Sequence, residues 1–128
     1  MTKFVIDAYA WIEYLDGSEK GRQVVAIIEN NANEIFTSSA TVAEVIGKVL
    51  SRNGDIKIAL NHINNFSKVL EITQEISISA AQIHFEAKKR VKNFGMLDAF
   101  VAATARKIGA KILTGDPDFR GFKEAIII

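Results

Sequence analysis

Short apolar runs alternate with longer amphipathic ones along this chain, and that alternation restricts its fold more than any other feature. Phe4–Ile6, Glu34–Thr37, Val69–Ile72, Lys111–Leu113 and Ala125–Ile128 read as strands. Between them, helical spacing covers Tyr9–Leu15, Ser18–Asn30, a segment capped by Ser38 or Ser39 and running to Arg52, Ile56–Ser67, Ser77–Asn93 and Leu97–Ile108. Asn53-Gly54 is a stop, and Gly109 is a plausible C-cap. Strands separated by helices require crossover connections, and crossovers place helices on both faces of a parallel sheet. The expected class is α/β: three layers, α/β/α, around a central, mainly parallel five-stranded sheet. At 128 residues and 48% hydrophobic content, one domain over 1–128 with one hydrophobic core is expected.

Several functional classes are excluded at this level. Runs such as Val24–Ile28 and Ala125–Ile128 are far too short to cross a bilayer. The N-terminal residues lack a signal peptide's apolar stretch and cleavage site. There is no cysteine, so neither a disulfide framework nor a thiolate metal site is available. A soluble cytoplasmic protein is expected. The net charge of +1 indicates no particular partner, although Lys88–Lys92 is locally basic. No repeat or low-complexity tract interrupts the chain, and Pro117 is its only proline.

In an open α/β sheet, ligands bind beyond the carboxyl ends of the strands, where the strand order changes direction. The polar residues that follow strands are therefore the ones to weigh. Asp7 follows the first strand, Thr114-Gly-Asp116-Pro-Asp118 follows the fourth, and Glu44 lies in the serine-capped helix after the second. Each has an ordinary explanation. Asp7 suits a turn or helix cap, Thr41-Val-Ala-Glu44 matches a capping box, and Asp-Pro-Asp is common turn chemistry. Asp98 is harder to explain away. It falls on the stripe made by Leu97, Val101, Ala102, Ala105 and Ile108, so it faces the packing side of its helix. A first-turn acid is favoured by the helix dipole, but an inward one also needs a partner, a cation or a wet cleft.

Carboxylates gathered at strand ends repel one another, which raises their pKa values or calls for a cation. Oxygen donors select a hard divalent ion, Mg²⁺ or Mn²⁺. Such a centre can activate water for in-line attack on a phosphodiester, with two ions ~4 Å apart sharing the task if both bind. No side-chain nucleophile is required.

With these residues in view, the chain resembles the PIN domain family over its whole length. It looks most like the small VapC-type toxins of prokaryotic toxin–antitoxin pairs. FVIDAYAWIEYL carries Asp7, SSATVAEVIGKV carries Glu44, GMLDAFVAATA carries Asp98, and ILTGDPDF carries Asp116 and Asp118. The resemblance implies adjacent first and fourth strands, with Asp7 beside Asp116. It also implies a metal-binding acidic centre of Asp7, Glu44, Asp98 and Asp116, with Asp118 as an outer contributor. Thr114 matches a hydroxyl residue that supports the centre. Where the family often has a serine or threonine after its first aspartate, this chain has Ala8.

The implied activity is Mg²⁺- or Mn²⁺-dependent endoribonuclease cleavage of single-stranded or looped RNA. The implied partners are a small cognate antitoxin and a second copy of the chain. Lys88, Lys89, Arg90, Lys92 and Arg120 are candidates for phosphate contacts, with Lys48 and Arg52 beside them. Phe94, Phe119 and Phe122 read as packing residues, and His62 and His84 as structural histidines. Competing readings are a non-toxin RNA-processing nuclease, a PIN module that binds RNA or protein without cutting, and a receiver-like phosphoacceptor. The last would want an adjacent acidic pair after the first strand and a phosphoacceptor aspartate after the middle one. Here Asp7 stands alone, and the third strand runs into Thr73-Gln74.

Overall fold

The computed structural model describes residues 1–128. In chain order the elements are β1 (Thr2–Ile6), α1 (Ala8–Asp16), α2 (Glu19–Ile28), β2 (Asn33–Ser38), α3 (Ser39–Ser51), α4 (Ile56–Phe66) and β3 (Lys68–Leu70). They continue with α5 (Gln74–Lys88), α6 (Met96–Ile108), β4 (Lys111–Thr114), a single 3-10 turn (Pro117–Phe119) and β5 (Ala125–Ile127). The five strands lie in the order β3-β2-β1-β4-β5, and every pairing is parallel. The chain builds outward from β1 to β3, then returns to place β4 on β1's other side. The switch point therefore lies between β1 and β4, with Val5 opposite Ile112 and Ile6 opposite Leu113.

Instead of the single core expected, alternation along the central strands feeds two, one on each face of the sheet. Val5 and Ile112 join α5, α6, Phe119 and Phe122 in one, whereas Phe4, Ile6 and Leu113 join α1 to α4 in the other. This is the period-2 consequence of a strand buried on both faces. Phe94, Phe119 and Phe122 pack on one another, with centroids 5.2–5.5 Å apart, so their reading as packing residues holds. Gly109 ends α6 in the left-handed region, at φ 66°, where a glycine has no Cβ penalty.

Three expectations need correction. The fifth helix begins at Gln74, because the Thr73 hydroxyl accepts from Ile76 N at 3.1 Å and caps it a turn earlier than Ser77. It also ends at Lys88 rather than Asn93, so Arg90 and Lys92 sit in the turns that follow. Leu97 is 41% exposed, not part of a packed stripe. The buried side of α6 begins at Ala99. Finally, α3 is capped by Ser38, so Thr41 lies inside the helix and no capping box accounts for Glu44.

Candidate active site

Asp7 sits where β1 becomes α1. Its backbone N–H still bonds to Leu113 across the sheet at 3.2 Å, while its Oδ1 accepts from Ala10 N at 2.9 Å and caps the helix. The Thr114 hydroxyl at the end of β4 donates to its other oxygen. That same hydroxyl accepts from Asp116 N at 2.9 Å, and Asp116 Oδ1 accepts from Asp118 N at 2.9 Å. Adjacent strands thus join Asp7, Thr114, Asp116 and Asp118 in one chain of hydrogen bonds across the switch point. Asp98 enters from α6, with its Oδ2 accepting from Gly95 N at 3.0 Å. The capping role and the inward position are both real.

Burial and repulsion act together on these acids. Asp7 is 5% exposed, and its pKa is raised to about 7, chiefly by burial; bonds from Thr114 and Ala10 oppose the rise, and Asp98 and Asp116 add to it. Glu44 is raised by burial and then by Asp98. Asp98 is raised by burial, eased by the Gly95 bond, raised again by Asp116 and Asp118, and eased by His84. Repulsion thus links Asp98 to Asp7 and Glu44, which it raises, and to Asp116 and Asp118, which raise it. No lysine or arginine forms an ion pair with any of them, since the four ion pairs engage Asp16, Glu86, Glu124 and Glu75.

The donor set fits a hard divalent cation in its chemistry, being entirely carboxylate and hydroxyl oxygen. No three of the chain's acidic or imidazole side chains are gathered tightly enough to hold an ion as they stand. Asp7 has both oxygens engaged, and Asp98 and Asp116 each give one to a backbone N–H. One oxygen on each of Asp98 and Asp116, and both on Glu44 and Asp118, accept no hydrogen bond and remain available to a ligand.

The basic residues are less concentrated than their sequence suggests. Lys88, Lys89, Arg90, Lys92 and Arg120 are all exposed. Lys89 pairs with Glu86 at 3.2 Å and lies 4.7 Å from the Phe85 ring, while Arg90 lines a hollow with Glu86, Arg106 and Phe122. His62 is structural, its Nδ1 lying 3.1 Å from the Tyr14 hydroxyl. His84 is not a self-contained structural histidine. Half-buried on α5, it is near enough to Asp98 to favour the ionised carboxylate. Its spacing from buried Ala80 and Ala87 was the available signal.

A family model described as the PIN domain matches residues 4–125. No curated protein sequence matches the chain significantly. Among solved structures, one similar fold is VapC20 of Mycobacterium tuberculosis, described as a sarcin-ricin loop cleaving toxin. It is 17% identical over 94% of this chain and 95% of that one, with a TM-score of 0.74. A toxin–antitoxin complex from Klebsiella pneumoniae is 19% identical over 95% and 94% of the respective chains, at 0.72. DNA-bound VapBC from Salmonella typhimurium is 22% identical over 100% and 98%, also at 0.72.

Proposed function

This chain belongs to the PIN domain family, and from that premise we propose that it is a metal-dependent endoribonuclease acting as the toxin of a toxin–antitoxin pair. The observation that carries the proposal is the cluster of carboxylates around Asp98 at the β1–β4 switch point, with no lysine or arginine paired to any of them. Similarity of fold to VapC20 and to the toxin–antitoxin complexes supports the toxin reading.

Asp7, Glu44, Asp98 and Asp116 would hold Mg²⁺ or Mn²⁺, with Asp118 as an outer contributor. When bound, such an ion polarises the phosphodiester and makes water a competent nucleophile at neutral pH. The protein's own part is positional. Thr114 fixes Asp7 against the strand edge, and Gly95 fixes one oxygen of Asp98 so that the other is free to face the cleft. Asp7 keeps its proton to near neutral pH and must release it to act as a ligand, so ion affinity rises as pH climbs through about 7.

On this reading the partners are RNA, a small cognate antitoxin and a second copy of the chain. Large exposed apolar side chains available for contacts occur on α3 (Leu50), α4 (Ile58, Phe66), α5 (Ile78, Phe85) and α6 (Met96, Leu97), with none on α2. No helix is long and apolar enough to cross a membrane.

The test is incubation of the protein with a mixed RNA pool in Mg²⁺, Mn²⁺ or EDTA, beside an Asp7→Asn/Asp98→Asn double variant. Cutting is expected only for the parent with metal, and the variant should lose on the order of 100-fold or more. Independently of activity, Mn²⁺ should raise the melting temperature of the parent and not of the variant. Parent-rate cutting by the double variant, or undiminished cutting in EDTA, would sink the proposal.

A further inference from the structure

A groove of about 360 Å³ opens beside the acidic cluster, between the start of α1 and the outer side of α3. Tyr9, Glu13, Glu44, Lys48 and Arg52 line it. Glu44 and Lys48 lie one turn apart on α3, about 6 Å along its axis, and Arg52 caps its C-terminal end. Lys48 is exposed and pairs with no carboxylate, whereas Arg52 is held by Asp16 at 2.9 Å.

Tyr9 is 38% exposed yet well supported. A Cβ on Gly115 would lie 2.1 Å from its Cε1, so the ring occupies the space that any larger residue after Thr114 would fill. At its far end, Lys20 Nζ donates to the Tyr9 hydroxyl at 3.1 Å, and stands 5.3 Å from the ring centroid. The cation therefore lies toward the hydroxyl rather than over the ring's centre. An aromatic ring braced at the lip of an acidic cleft, beside an unpaired lysine, combines the two elements of single-strand recognition: a stacking platform and a phosphate contact.

We propose that Tyr9 and Lys48 form the subsite for the nucleotide flanking the scissile bond of single-stranded RNA, with the base stacked on Tyr9 and the adjacent phosphate on Lys48. This rests on the ribonuclease reading. Tyr9 is here a positioning residue for the strand.

Binding is measured by fluorescence anisotropy in the non-cutting Asp7→Asn/Asp98→Asn background. The probes are a labelled oligoadenylate of about 12 nucleotides, a usual single-strand site length, and an abasic ribose-phosphate oligomer of equal length. Adding Tyr9→Leu should weaken oligoadenylate binding roughly five- to a hundred-fold and leave the abasic probe unaffected. Tyr9→Phe, which keeps the ring, should stay within about two-fold of the background. Lys48→Gln should weaken both probes and lower the slope of log affinity against log salt by about 0.7.

Equal loss of both probes in Tyr9→Leu would assign Tyr9 a merely structural role and overturn the proposal. So would oligoadenylate binding indifferent to Tyr9, with the parent still cutting RNA; the ribonuclease reading would then survive alone. A parent that cuts no RNA under any metal would overturn both.

Discussion

On one face of the sheet, seven of the fifteen core residues are alanines: Ala80, Ala87, Ala99, Ala102, Ala103, Ala105 and Ala110. They let α5 and α6 lie close to each other and to β1 and β4. On the other face, α1 to α4 enclose Trp11, Tyr14, Val24, Ile28, Val45 and Ile63. That side also carries internal polar bonds, from Trp11 Nε1 to Thr37 at 3.0 Å and from the Tyr14 hydroxyl to Glu29 at 2.8 Å. One layer is set by how little side chain separates its backbones, the other by how well large side chains fill its interior. The acidic cluster takes Asp98 from the first, Glu44 from the second, and Asp7 and Asp116 from the strand ends between them. Its geometry therefore depends on both kinds of packing at once.

Removing volume from the large-residue layer should have the greatest effect. Trp11 is fully buried, and Trp11→Ala is expected to cost about 3–5 kcal/mol in urea unfolding. An unchanged midpoint would mean that this layer does not depend on filling.

The charge held between the layers comes next. Asp7 has a native pKa near 7 against an ordinary 3.8, so the unfolded chain loses this proton first as pH rises. Between about pH 4 and 7 the native state binds the extra proton, and its stability falls as pH rises through that window. Without divalent ions, Asp7→Asn should match the parent near pH 4. At pH 8 it should be the more stable by something on the order of 2–4 kcal/mol. Parallel stability curves for the two proteins would contradict the burial of an uncompensated acid.

Adding volume to the alanine layer should have the smallest effect on stability and sharpen the contrast most. Ala102→Leu is expected to cost about 1–3 kcal/mol by overpacking. Because α6 carries Asp98, a displacement near 1 Å would lower RNA cutting by up to about 100-fold. Cutting that fell only in step with the folded fraction would show that α6 position and site geometry are uncoupled.

Much of this was legible in the chain. The period of the apolar residues gave the α/β class, all five strands and all six helices, with errors confined to boundaries such as Thr73 and the end of α5. The acids stood out because Asp7, Asp116 and Asp118 follow strands directly, and strand ends are where such sheets bind. His84 was missed because it follows no strand, and Tyr9, three residues beyond β1, because only acids and hydroxyls were weighed at the strand ends. Their roles arise from what α5 and α1 face across space, and linear spacing carries no record of a facing element.

By itself, the sequence determined the period of each element, the cap that Gly109 supplies, and a set of oxygen donors without a thiolate. Those are local properties, governed by backbone geometry and by neighbours within a few residues. Only the tertiary structure decided that β4 returns beside β1, that Asp98 stands among the other acids, and that Asp7 is buried deeply enough to hold its proton near neutral pH. Desolvation and repulsion depend on distance in space, and residues as far apart as Asp7 and Thr114 acquire that distance only when the sheet closes.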